Sequence, residues 1–180
     1  MNITVYLGAR EGNNARFKEE TAALGRWIGR NGHTLVYGGG CVGLMNILAD
    51  NVLESGGKVI GVIPGFMVRA GRKHADLSET YVTDTMRERR AKMIELGDVY
   101  IAMPGGVGTL DEISEVISDQ RLGLHNNFCI FFNCEGYYEP VRQMLRNMVE
   151  AGFLYREDPE SIRFPETMEE LTTILEGVGK

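Results

Sequence analysis

The sequence predicts a doubly wound α/β domain: a Rossmann-like parallel sheet with helices on both faces, in three αβα layers. Three observations lead there. Short apolar runs rich in β-branched residues alternate with amphipathic segments along the chain. Glycine-rich turns follow directly on two of those runs. The 180 residues suit one domain of this kind, spanning 1–180, with no linker, repeat or low-complexity stretch.

Ile3 to Leu7 reads as the first strand, ending at Gly8. Asn14 to Gly32 is predicted helical, with Leu24, Trp27 and Ile28 on one face and Gly32 as its stop. Leu35 to Tyr37 is a second strand, Leu44 to Glu54 a helix, and Val59 to Ile63 a third strand halted by Pro64-Gly65. Phe66 to Asp76 reads as a loop carrying Arg69, Arg72, Lys73 and His74. Thr85 to Leu96 is a helix and Val99 to Ala102 a strand meeting Pro104-Gly105-Gly106. The series closes with a helix from Thr109 to Leu122, a strand from Phe128 to Phe132, and helices from Tyr138 to Ala151 and Thr167 to Glu176.

Composition narrows the function classes. Hydrophobic residues make up 43% and charged residues 24%, which fits a soluble globule with its own core. The net charge of −6 argues against nucleic acid or an anionic membrane as partner, while leaving room for one small anion in a local basic pocket. Cys41, Cys129 and Cys134 lack a disulfide or metal spacing, and His33, His74 and His125 stand far apart, so no metal site is expected. The N-terminus lacks the pattern of a signal peptide and no apolar run approaches a membrane span, so the expected location is cytoplasmic.

In a doubly wound sheet, ligands lie beyond the carboxyl ends of the strands, where both glycine-rich turns fall. In the first, Gly38, Gly40 and Gly43 satisfy G-x-G-x-x-G, and Gly39, Gly40 and Gly43 are candidates for a phosphate or ligand turn. The spacing alone is a weak dinucleotide signal. It follows the second strand rather than the first, and Lys58 and Val59 stand where the ribose-binding acid belongs. A tight strand-to-helix turn is the plainer alternative. The second turn runs Pro104-Gly105-Gly106-Val107-Gly108-Thr109-Leu110-Asp111-Glu112. Its glycines let backbone approach a ligand, and the following helix offers unpaired N–H groups to a phosphate. Thr109 either caps that helix or donates to a phosphate oxygen. Asp111 and Glu112 either complement the helix dipole or serve chemistry on a sugar phosphate. Between the turns, Met86-Arg87-Glu88-Arg89-Arg90-Ala91-Lys92-Met93 places Arg89 and Arg90 on a helix, where a solvated charged face is the alternative to a ligand site.

Together these segments resemble the LONELY GUY family of cytokinin riboside 5′-monophosphate phosphoribohydrolases, long labelled lysine decarboxylase-like. Residues 104–112 are similar to the family's P-G-G-x-G-T-x-x-E, and Met86 to Met93 to its M-x-x-R-K-x-x-M. Tyr37-Gly38-Gly39-Gly40, Gly43-Leu44-Met45, Gly61-Val62-Ile63-Pro64 and Gly136-Tyr137-Tyr138 extend the likeness over nearly the whole chain.

The resemblance implies a homodimer that hydrolyses the N-glycosidic bond of a nucleoside 5′-monophosphate, of adenine or cytokinin type, to free base and ribose 5-phosphate without metal or organic cofactor. Arg89 and Glu112 match the catalytic pair. Glu79, Arg89, Arg90, Gly105, Gly106, Val107, Gly108, Thr109, Leu110, Asp111 and Ser118 match substrate-binding positions. Arg90 stands where Lys is usual, Asp111 where Glu is common, and Ala9-Arg10 where Ser is frequent, changes that bear on substrate preference. A non-catalytic nucleotide or molybdenum-cofactor carrier of similar fold is the alternative. Lysine decarboxylation would need a Schiff-base lysine, and Lys18, Lys58, Lys73, Lys92 and Lys180 lack a pyridoxal phosphate context.

Overall fold

β-branched and aromatic residues at alternate positions bury both faces of the central strands, and only helices above and below can cover such a sheet. The computed structural model describes residues 1–155 and 161–178. Among these, the strands are β1 (Asn2–Tyr6), β2 (Thr34–Tyr37), β3 (Lys58–Pro64), β4 (Glu79–Thr83), β5 (Val99–Ala102), β6 (Cys129–Phe131) and β7 (Ile162–Arg163). The helices are α1 (Ala15–Arg30), α2 (Gly43–Glu54), α3 (Gly65–Arg69), α4 (Met86–Leu96), α5 (Val107–Arg121), α6 (Glu139–Glu150) and α7 (Met168–Gly177), with a 3-10 turn at Cys134–Gly136.

All pairings are parallel and the strand order is β4-β3-β2-β1-β5-β6-β7. Ile3 stands opposite Leu35 on one side and Val99 on the other. Alternation along β1 sorts the core into two layers. Ile3 and Val5 pack with Leu24 and Ile28 of α1, Leu48 and Val52 of α2, and Leu171 of α7. Tyr6 packs on the opposite face with Met93 of α4 and with Ile113 and Val116 of α5. The predicted three-layer, doubly wound sheet is therefore present.

Local chemistry sets the helix starts. Asn14 accepts from the Arg16 amide at 3.0 Å to open α1. Thr85 accepts from the Glu88 amide at 3.1 Å, and Glu88 reaches back to the Asp84 amide at 3.0 Å, fixing α4 from both sides.

Three features depart from the sequence reading. β4 and β7 were not anticipated; β4 is a half-exposed edge strand and β7 has only two residues, so neither shows a buried apolar run. The stretch read as a loop from Phe66 begins within the short helix α3. α5 starts at Val107 rather than Thr109, with Gly106 at the cap position.

Candidate active site

The sheet order reverses between β1 and β5, because β1 leads outward to β2 while β5 leads outward to β6. The loops leaving these two neighbours diverge and open a crevice, the usual ligand position in such a sheet. A cavity of about 600 Å³ lies there, walled by residues 7–13 after β1, by 104–109 after β5, and by Leu44, Met45, Met67 and Tyr137. Arg89 and Glu112 form part of its lining.

The turn after β5 is held from several sides. The Gly8 amide donates to the Pro104 carbonyl at 3.1 Å. The Tyr137 hydroxyl donates to the Gly105 carbonyl at 2.5 Å, and the Tyr138 hydroxyl to the Met103 carbonyl at 2.7 Å. No side chain among the described residues caps α5, and the residues of its first turn, Val107 to Thr109, line the cavity. Thr109 is buried in that turn and does not take the capping role that the sequence left open for it.

Opposite the turn lies the buried ion pair. Arg89 projects from α4, donating through Nε to the Val62 carbonyl at 3.0 Å and through Nη1 to Glu112 Oε1 at 2.8 Å. Both residues are only 8% exposed, so neither belongs to a solvated helix face. Burial pushes the Glu112 carboxyl above the ordinary carboxylate range, while the charge and hydrogen bond of Arg89 oppose that rise. A buried carboxylate paired with a fixed guanidinium in a cavity wall suits the stabilisation of charge that develops during a reaction.

Other sequence candidates fall elsewhere. Arg90 pairs with Asp111 at 3.2 Å and with Glu115 at 2.5 Å, outside the cavity lining. Leu110 and Ser118 face an apolar groove between α5 and α6 instead. Glu79 opens the outer strand β4, far from the carboxyl ends of β1 and β5, and is absent from the cavity lining.

The first glycine-rich turn also stands behind the cavity rather than in its wall. Gly39 and Gly40 are engaged with the segment after α3: the His74 amide donates to Gly39 at 2.9 Å, and Gly40 bridges Lys73. Gly43 supports the β1 loop; a Cβ there would lie 2.6 Å from both the Ala9 oxygen and the Arg10 nitrogen. Residues that the sequence reading did not single out as lining include Gly12, Asn13, Met67 and Tyr137. The signal for residues 8–13 was Gly8 at the end of the first strand, beside the switch point.

No lysine among the described residues lines the cavity. Lys18 is paired with Glu11, Lys92 with Glu95, and Lys73 bonds the His74 carbonyl. Lys180 lies outside the described residues.

Fold and site together define a Rossmann-like α/β protein with a cavity at the switch point of its sheet. The family model described as "Possible lysine decarboxylase" matches residues 45–175, and the chain belongs to that family. A cytokinin riboside 5′-monophosphate phosphoribohydrolase of Rhodococcoides fascians is 42% identical, over 85% of this chain and 78% of the relative. A probable enzyme of the same name, LOGL1 of Oryza sativa subsp. japonica, is 36% identical over 97% of this chain and 78% of its own. Among solved structures, the molybdenum cofactor binding protein of Rippkaea orientalis superposes with a TM-score of 0.75 at 20% identity, covering 99% of this chain and 97% of that one. The Moco carrier protein of Chlamydomonas reinhardtii gives 0.73 at 18%, over 98% and 96%. These two likenesses concern the fold.

Proposed function

We propose that this protein hydrolyses the N-glycosidic bond of a nucleoside 5′-monophosphate carrying adenine or an N6-modified adenine. Water adds its oxygen to C1′, the C1′–N bond breaks, and its electron pair leaves on the base nitrogen, which takes up a proton. The products are free base and ribose 5-phosphate. The carrying observation is the buried Arg89–Glu112 pair, 2.8 Å apart, facing the same cavity as the uncapped start of α5.

The roles follow from the chemistry. The backbone from Gly105 to Thr109 takes the 5′-phosphate, and that remote binding positions C1′ against Glu112. Glu112 supplies the carboxylate that stabilises oxocarbenium character on the ribose and orients water. Arg89 favours the ionised form of Glu112 through its charge and hydrogen bond and relieves developing negative charge. The relatives named for this activity support the reading. The apolar groove lined by Leu110, Ile117, Met144 and Met148 supports a homodimer, with a second copy covering it. No helix among the described residues is long and apolar enough to cross a membrane. Nucleotide substrates and free thiols at Cys41, Cys129 and Cys134 suit a cytoplasmic setting.

The test is chromatographic: purified protein with AMP and with isopentenyl-AMP, scoring free base and ribose 5-phosphate, beside Glu112→Gln. Release abolished in the variant is the expected result, and the ratio of the two rates assigns the base. Nucleotide retained but uncleaved by the unaltered protein would replace the hydrolase with a carrier. Sedimentation of the same sample reads the assembly.

A further inference from the structure

We propose that Gly38 is a positioning residue for Arg89: its missing side chain is the slot that holds the guanidinium against Glu112. A Cβ built on Gly38 would fall on Nη2 of Arg89, with Cζ only 3.0 Å away. An arginine tip normally yields to such an intrusion, but this one is held at two other points. Nε is bonded to Val62 and Nη1 to Glu112, and the side chain is buried. A methyl group at Gly38 therefore displaces the fork from the carboxylate rather than displacing the β2 turn. The glycine-rich turn after β2 has a role in this site without lining the cavity: it shapes the reactive pair from behind.

This inference rests on the reading of Arg89 and Glu112 as the reacting pair, and its test has an arm that needs no turnover. Glu112 is faced by Arg89 and Arg90 of α4, by Asp111 of α5 and by Tyr6 of β1. Losing the Arg89 contact leaves burial less opposed, so the carboxyl titrates higher in Gly38→Ala. Carbon-13 NMR titration of Glu112 in unaltered protein, Gly38→Ala, Arg89→Lys and the double variant reads that shift directly. AMP and isopentenyl-AMP turnover of the same four proteins gives a double-mutant cycle.

The expected result is an upward shift of the Glu112 titration in Gly38→Ala and a kcat loss on the order of a hundredfold, larger than any change in KM. In the Arg89→Lys background, where Nη2 is gone, adding Gly38→Ala costs no more than about twofold. An unmoved titration in Gly38→Ala, or equal losses in both backgrounds, overturns the proposal. If Gly38→Ala does not fold, recovery of folding in Gly38→Ala/Arg89→Lys supports it, and failure of both overturns it. Unaltered protein that releases no base from either nucleotide defeats the hydrolase reading alone, and the titration then decides the role of Gly38.

Discussion

The Tyr137 hydroxyl donates to the Gly105 carbonyl at 2.5 Å, so a side chain beyond β6 sets the position of the turn that begins α5. Its neighbour Tyr138 does the same one step deeper, at Met103. Two adjacent tyrosines thus clamp one segment at two depths, one in the cavity wall and one in the core.

These neighbours are expected to separate on mutation. Tyr137→Phe keeps the edge contact with Phe17 but frees Gly105, raising KM for AMP several-fold with little change in melting temperature. Tyr138→Phe strips a buried carbonyl of its donor and costs about 1–3 kcal/mol of stability, seen in urea titration. A matched loss of stability in both variants would contradict the division.

The pH dependence follows from Glu112. Its carboxyl is raised by burial and the working form is ionised, so activity falls on acidification at a pH above the ordinary carboxylate value of 4.5. Stability runs the other way. A raised folded-state pKa favours the protonated side chain, so this contribution is full below the unfolded pKa and is lost as pH rises through the folded one. The stability of unaltered protein relative to Glu112→Gln is therefore expected to be greater at pH 4 than at pH 7, read from paired denaturation curves.

Tyr6 carries a hydroxyl that is buried and has no hydrogen-bond partner among the described residues. An unpaired buried hydroxyl costs about 1–3 kcal/mol. Tyr6→Phe removes it while keeping the ring between β1 and the α4–α5 layer. The expected outcome is a melting temperature equal to or above that of the unaltered protein, measured by calorimetry.

Arg10 is an exposed cation in the cavity wall, whereas the neighbouring Glu11 is paired with Lys18 at 2.6 Å. Arg10→Ser is expected to raise KM for AMP and to flatten the dependence of KM on salt, because an exposed charge acts on a phosphate through screened attraction. Steady-state kinetics at low and high salt check both effects.

Much of this was legible in the sequence because burial leaves a pattern. The central strands β1, β2, β3 and β5 are near-continuous apolar runs, and Asn14 and Thr85 mark helix starts by their capping chemistry. Arg89 and Glu112 were identified by motif and fall together, 23 residues apart in sequence. What was not legible depends on tertiary placement. β4 holds only exposed and half-buried residues at an edge, where no run of buried hydrophobes is needed. Arg89 and Arg90 are identical in type and adjacent in sequence, yet one turns inward to Glu112 and the other outward to Glu115. Gly38, Gly40 and Gly43 read as a cradle because their spacing is that of one; only the segment after α3, lying against Gly39 and Gly40, shows that backbone there is already engaged.

The order of the strands gives the Arg89–Glu112 pair a temporal meaning. Arg89 lies on the crossover that leaves the β4 edge and returns to the middle of the sheet, while Glu112 follows β5. In the folded chain the two meet across the β1–β5 junction, where the halves of the sheet join, so forming the pair is expected to require that junction. A chain halted before that step is expected to hold neither a closed cavity nor a paired carboxylate, and so under the proposed hydrolysis to release no base. Return of turnover during refolding thus becomes a timer for completion of the sheet, starting no earlier than the joining of its halves.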